Sequence, residues 1–254
     1  MTGNRRYLAA SDFDGTINIG GVSAQNREAI RRFREAGHLF GIATGRDYNI
    51  YHTMLREGIE FDFIVTCSGA MAIKPDGTYY FCVDAENKDG TLRQIIEYAG
   101  ERFSVSVDCI IGKERFHYAL QPGFCRHEAH TAEDADQVPS FTQLDIIFKS
   151  DADCMEAAAE INRRWGHAVN ALQNGSGLNV VASGMDKGEG SARIAALAGI
   201  PEENIYTFGD NINDIAMLTR FHGYPVANAR EEVKAAVGRT CEGVWEVLER
   251  LTDC

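Results

Sequence analysis

Near the start of the chain an apolar run, Leu8-Ala9-Ala10, leads through Ser11 into two carboxylates one residue apart, Asp12 and Asp14, and then into Gly15 and Thr16. Read as a strand, the run sends successive side chains to opposite sides, so Asp12 and Asp14 share a side. Gly15 allows a sharp turn beside them. Two like charges held together at a strand end are unfavourable unless a cation or a proton compensates. The stretch therefore predicts either a chemical site whose compensating charge comes from elsewhere in the chain, or a strand that ends in a solvated acidic turn.

The rest of the chain bears on that choice through its rhythm. Ser23 reads as the cap of a helix that stops at Gly37, and residues 38–43 read as a second strand ending at Thr44-Gly45-Arg46. A helix over 47–57 and a third strand over 61–66 follow, ending at Cys67-Ser68-Gly69-Ala70. This βαβαβ order predicts an open parallel α/β sheet, whose ligands bind beyond the carboxyl ends of the strands. Over residues 84–184 the pattern changes to helices between hairpins, one around Gly112 and one around Asn174-Gly175-Ser176-Gly177. After Gly184 the α/β rhythm returns. A helix starts at Lys187, a strand ends at Gly209-Asp210 ahead of Asn213-Asp214, and a last strand over 224–227 precedes two helices. The expected architecture is a Rossmann-like α/β core with a parallel sheet, made of residues 1–83 and 185–254, and an α+β domain inserted at 84–184.

A chain of 254 residues, 44% hydrophobic, can bury a core for such an arrangement. Its 37 acidic and 25 basic residues give a net charge of −12, which weighs against nucleic acid or an anionic membrane as the main partner. A small anionic substrate stays possible, because a metal and local groups can reverse the sign inside a cleft. No segment approaches the ~20 apolar residues of a membrane span, and no signal peptide is visible. The seven cysteines are scattered and form no CxxC, as suits reduced thiols in a cytoplasm.

Four clusters then fall on one expected face: Asp12 with Asp14, Thr44, Lys187, and Asp210 with Asp214. Hard carboxylate oxygens suit Mg²⁺. A lysine and a hydroxyl aimed at the same place suit a phosphoryl group. Asp-Phe-Asp-Gly-Thr (12–16), Thr44-Gly45-Arg46, Lys187 and Gly-Asp-Asn-Ile-Asn-Asp (209–214) resemble the four motifs of the haloacid dehalogenase-like phosphatases. Asp186-Lys187-Gly188, Asn213-Asp-Ile-Ala-Met217 and Pro225-Val-Ala-Asn-Ala229 are similar to the Cof-like, type IIB-capped sugar phosphatase branch, in which the insertion is a cap domain. Ser68 departs from that branch, which usually has asparagine there.

The resemblance implies a Mg²⁺-dependent phosphatase acting on a small phosphorylated metabolite, above all a sugar phosphate. Asp12 would be the nucleophile, Asp14 the acid and base, and Thr44 and Lys187 the phosphoryl contacts. Asp12, Asp14 (through its backbone carbonyl), Asp210 and Asp214 would serve the metal, and Gly45, Arg46, Ser68 and Asn213 the substrate. The same resemblance admits phosphotransfer to another sugar hydroxyl, as in phosphomannomutases, and a non-catalytic sugar-phosphate binder would be expected to have lost Asp12 or Asp14.

Most of these residues also have an ordinary structural use. Thr44 could cap the helix after it, Asp210 could cap its own, and Lys187 could be a solvated helix-start lysine. Arg46 could pair with a carboxylate. Cys67 reads as a small buried thiol. His127 and His130 have zinc-like spacing but sit in an acidic loop. Phe124, Arg126 and Asn179 could face a substrate from the insertion.

Overall fold

The computed structural model describes residues 5–103, 105–118 and 129–253; Phe124, Arg126 and His127 lie outside them. The chain divides into two compact units, residues 1–81 with 187–254, and residues 82–186. The first unit opens with β1 (Leu8–Ser11), α1 (Ala24–Glu35), β2 (Leu39–Ala43), α2 (Asn49–Glu57), β3 (Phe63–Thr66), β4 (Met71–Ile73) and β5 (Tyr79–Cys82). The second unit carries β6 (Ala85–Glu86), α3 (Thr91–Arg102), β7 (Ser106–Ile111), β8 (Glu114–Tyr118), β9 (Ser140–Phe141), β10 (Gln143–Ile147), α4 (Asp151–Trp165), β11 (Val169–Asn174) and β12 (Gly177–Ala182). The first unit resumes with α5 (Lys187–Leu197), β13 (Ile205–Gly209), α6 (Ile215–Arg220), β14 (His222–Pro225), α7 (Glu231–Val237) and α8 (Val244–Thr252).

In the first unit the sheet runs β14-β13-β1-β2-β3-β4-β5. The four all-buried residues of β1 suit a central strand covered on both faces. β1 pairs in parallel with β2 on one side and with β13 on the other. The two halves of the unit therefore part at β1, and the carboxyl ends of β1, β2 and β13 adjoin at the switch point. The sheet is mixed rather than wholly parallel, because β4 pairs antiparallel with β3. Only the tight turn at residues 67–70 joins these two strands, far too short for a parallel crossover. β14 lies at 222–225 rather than 224–227. Its parallel register with β13 ends at Pro225, which has no N–H to extend the ladder.

Helix ends follow local chemistry. Ser23 caps α1 by accepting the Asn26 N–H, and Gly58 in the left-handed region closes α2. One face of α5 supplies Ile194 and Ala195 to a core shared with Leu8, Ala10, Phe63, Val65, Ile205 and Met217. In the second unit a five-stranded sheet, β11-β12-β10-β7-β8, is antiparallel throughout, and β6 pairs with β9. Among the described residues no helix is long and apolar enough to cross a membrane.

His38, at the entry to β2, is buried between the Tyr7 and Phe33 rings, and its Nδ1 accepts the Tyr7 N–H at 3.4 Å. Burial holds its pKa below the ordinary 6.5, with a smaller push from Arg6 and an opposing contact to the Leu251 backbone. The unfolded chain therefore binds the proton more readily than the folded one. The contribution of His38 to stability is present above pH 6.5 and is lost as pH falls below it. Urea unfolding at about pH 7.5 and about pH 5.5 should show a smaller acid-induced loss in His38→Gln than in the natural chain.

Candidate active site

The site grows out of the end of β1. The Asp12 N–H extends the ladder to the Phe208 carbonyl at 2.9 Å, and the chain then turns at Gly15 with φ +80°. A Cβ on Gly15 would lie 2.6 Å from Asp210 Oδ2, so the turn and the Asp210 carboxylate need a residue without one. Thr16 Oγ1 donates to Asp210 Oδ1 at 2.7 Å, and Asn228 Nδ2 donates to the Gly15 carbonyl at 2.8 Å. Neither role was apparent from the sequence, although both residues lie inside the stretches that carry the resemblance. Gly15→Ala should cost about 1–2 kcal/mol from the left-handed backbone alone and should displace Asp210; urea unfolding and phosphate release on the purified variant test both effects.

Lys187, the first residue of α5, is 2% exposed. This is not the solvated lysine that a helix start allows. Its Nζ lies 2.6 Å from Asp12 Oδ1 and 2.7 Å from Asp214 Oδ1. α5 can come this close because of Gly190, where a Cβ would meet Val65 Cγ1 at 2.6 Å and Gly69 Cα at 2.9 Å. Glycine is otherwise unfavourable inside a helix. Asp214 is fully buried, and its Oδ2 accepts the N–H groups of Asp210 and Asn211 at 3.0 Å each. Both of its oxygens thus bond to the protein. Asn211, not Asp210, caps the turn at residues 212–214, in a reciprocal box with Asp214. That leaves the Asp210 carboxylate for Thr16 and for the space beside Asp12.

Oxygens of Asp12, Asp210 and Asp214 lie within 4.8 Å of one another; among the described residues this is the one group of three or more His, Cys, Asp or Glu side chains close enough to share an ion. Burial pushes the Asp12 carboxyl up to about 7, opposed by Lys187 and aided by the Asp214 and Asp210 charges. Burial also raises Asp210, again with help from Asp214. On Lys187 burial works downward, but the adjoining Asp12 and Asp214 outweigh it and hold the ammonium above its ordinary value. Three carboxylates against one buried ammonium leave negative charge uncompensated. Every available donor is a hard oxygen, so these residues fit Mg²⁺.

The ends of β2 and β3 form the adjoining wall. Thr44 Oγ1 accepts the Arg46 N–H at 3.2 Å, so this hydroxyl serves its own turn rather than capping α2. The Ser68 N–H donates to the Thr44 carbonyl at 3.1 Å, and the Arg46 carbonyl accepts from the Cys67 N–H and the Thr66 hydroxyl. These bonds hold Cys67 and Ser68 in the left-handed region, both at φ 49°, which is unfavourable for residues with a side chain. Ser68 is buried there and Cys67 is a buried thiol. Gly45 lies in the turn between Thr44 and Arg46. The Arg46 side chain reaches Asp14, with Nε and Nη2 each 2.6 Å from a carboxylate oxygen. Asn213 follows the Asp210 strand end, and its Oδ1 is buried without a hydrogen-bond partner among the described residues. Asn179 lies on β12 in the second unit, where its amide donates to Asp145 at 2.7 Å.

Residues 9–243 match the family of haloacid dehalogenase-like hydrolases, and the chain belongs to that family. Similar curated proteins include the 5-amino-6-(5-phospho-D-ribitylamino)uracil phosphatase YitU of Bacillus subtilis. It is 27% identical over 259 residues, covering 92% of this chain and 91% of the relative. The pyridoxal phosphate phosphatase YbhA of Escherichia coli is 25% identical over 262 residues, 90% of each chain. Among solved structures, SMU.1108c from Streptococcus mutans aligns with a TM-score of 0.82 at 17% identity, covering 98% of this chain and 99% of that one. The subclass IIB sugar phosphatase BT4131 aligns at 0.77 and 19%, covering 96% and 98%. The protein is thus an enzyme, a phosphatase of the haloacid dehalogenase type.

Proposed function

We propose that the protein is a Mg²⁺-dependent phosphomonoesterase that works through an aspartyl-phosphate on Asp12 and acts on a small metabolite, with a sugar phosphate as the leading class. The observation that carries this reading is the Asp12 carboxylate, fixed at the end of β1 with Oδ1 on Lys187 and with Oδ2 accepting no hydrogen bond among the described residues. Asp12 attacks phosphorus, and the bond from phosphorus to the alcohol oxygen breaks as Asp14 delivers a proton to that oxygen. Asp14 then takes a proton from the water that attacks phosphorus, the bond to Asp12 breaks, and phosphate leaves. Thr44 keeps its hydroxyl proton to donate to a phosphoryl oxygen, and Lys187 offsets the charge that gathers there. Asp12, Asp210 and the Asp14 backbone carbonyl would hold Mg²⁺, which when bound supplies further charge stabilisation to the transferring group. Asp214 orients Lys187 and the 209–211 backbone. Gly45, Ser68 and Asn213 border the phosphoryl position, and the unit of residues 82–186 acts as the cap that selects the alcohol.

The likeness in fold to a subclass IIB sugar phosphatase supports the substrate class, and the phosphoribitylamino and pyridoxal phosphate relatives mark the range to screen. Phosphate release from sugar phosphates, nucleotides and phosphorylated cofactors should require added Mg²⁺ and stop with EDTA. Transfer of the phosphoryl group to a second sugar without phosphate release would replace hydrolysis by mutase chemistry. Thermal stabilisation by these compounds without any turnover would overturn the enzymatic reading.

A further inference from the structure

Arg46 is fixed at both ends. Its backbone N–H bonds Thr44, and its carbonyl accepts from Thr66 and Cys67, so the residue starts from a rigid turn. Its guanidinium lies over the buried Phe13 ring, 5.3 Å from the centroid, and closes as a fork on both oxygens of Asp14. Phe13 is the residue between the two motif carboxylates, so the same short segment that sets Asp12 also seats the guanidinium. Asp14 itself is about half exposed and is not one of the three carboxylates that could share an ion. Among the described residues of this unit no other side chain bonds its carboxylate. A planar fork on a stacking platform fixes direction as well as distance, which a flexible ammonium does not.

We infer that Arg46 is a positioning residue for Asp14, holding its carboxylate in one orientation at the edge of the site, and not a contact of the substrate phosphoryl group. This role rests on the phosphatase reading above. Proton delivery depends steeply on placement, so loss of the fork is felt where the departing oxygen needs a proton and is hardly felt where it does not. Phenyl phosphate and p-nitrophenyl phosphate have nearly the same shape and differ in that need.

The experiment measures kcat/KM for both esters in the natural chain, Arg46→Ala, Arg46→Lys, Asp14→Asn and the Arg46→Ala/Asp14→Asn double variant. Arg46→Ala should raise the preference for p-nitrophenyl phosphate about tenfold, through loss of phenyl phosphate turnover. Asp14→Asn should raise it at least as much, and the double variant no further than Asp14→Asn alone. Arg46→Lys should keep most of the defect, since it keeps the charge but lacks the fork. An equal fall for both esters, with the preference unchanged, would overturn the role and assign Arg46 to the phosphoryl group or to general structure. Failure of the natural chain to turn over either ester overturns the phosphatase reading first, and this role with it.

Discussion

The substitution Asp12→Asn is expected to reduce phosphate release by about 10³-fold or more while the protein stays folded. The amide keeps the shape of the side chain but cannot form the covalent bond to phosphorus. Stability should survive because Lys187 retains Asp214 at 2.7 Å as a partner. Burial works against charge on Asp12 in any case, so a neutral group there relieves rather than creates a cost. Initial-rate phosphate release with Mg²⁺, together with urea unfolding of the same preparation, separates the two effects. A variant that keeps turnover within about tenfold of the natural chain would exclude Asp12 as nucleophile.

Lys187→Met carries the largest expected effect on stability. The side chain is buried, and it is the only cation bonded to Asp12 and Asp214 among the described residues. Removing one partner of a buried ionic group leaves the others uncompensated, at a cost of about 3–5 kcal/mol. Activity should vanish with it. Adding Mg²⁺ should return part of the stability by binding the folded form, an effect that grows with concentration. Introducing Asp12→Asn into Lys187→Met should also recover part of the loss, since one of the two stranded carboxylates is then gone. Urea midpoints for the natural chain, the two single variants and the double variant, with and without Mg²⁺, give the coupling directly. Strict additivity of the two substitutions would show that the Lys187–Asp12 contact contributes nothing.

The parts of this site that could be read in the sequence were local ones. The strand that leads to Asp12 and the turn at Gly15 follow from neighbouring residues, as do Ser23 capping α1 and the hairpin at Asn174–Gly177. But β1 ends at Ser11, so strand alternation does not reach Asp14, which lies in the turn, half exposed and apart from the Asp12 cluster. The parts that could not be read depend on distant partners. Thr16 and Asp210 are 194 residues apart, and Asn228 is 213 residues from Gly15. No periodicity encodes such pairs. Lys187 could be singled out by its place in the motif, but its burial could not be read, because that depends on Gly190 fitting against Gly69, a contact made only once α5 is seated. The antiparallel pairing of β4 with β3 could not be read, because a chain reversal at residues 67–70 requires left-handed Cys67 and Ser68, and neither residue type advertises that conformation. Arg46 had two plausible partners in the sequence, and only geometry places its fork on Asp14.

The order of strands in the first unit also constrains how the chain can acquire its structure during synthesis. β1 is central, yet one of its two neighbours, β13, lies almost two hundred residues downstream. A ribosome-bound chain that has emerged only as far as residue 186 has β1 with an open edge and Asp12 without its lysine. By then residues 82–186 are complete and contiguous, with sheets and helices of their own, and can close their core first. The long closure that joins β1 to β13 therefore comes after a folded insert has already shortened the span to be bridged, which lowers its entropic cost. The pocket can form only after Lys187 and Asp214 have emerged, and no translation product truncated before them carries an assembled centre.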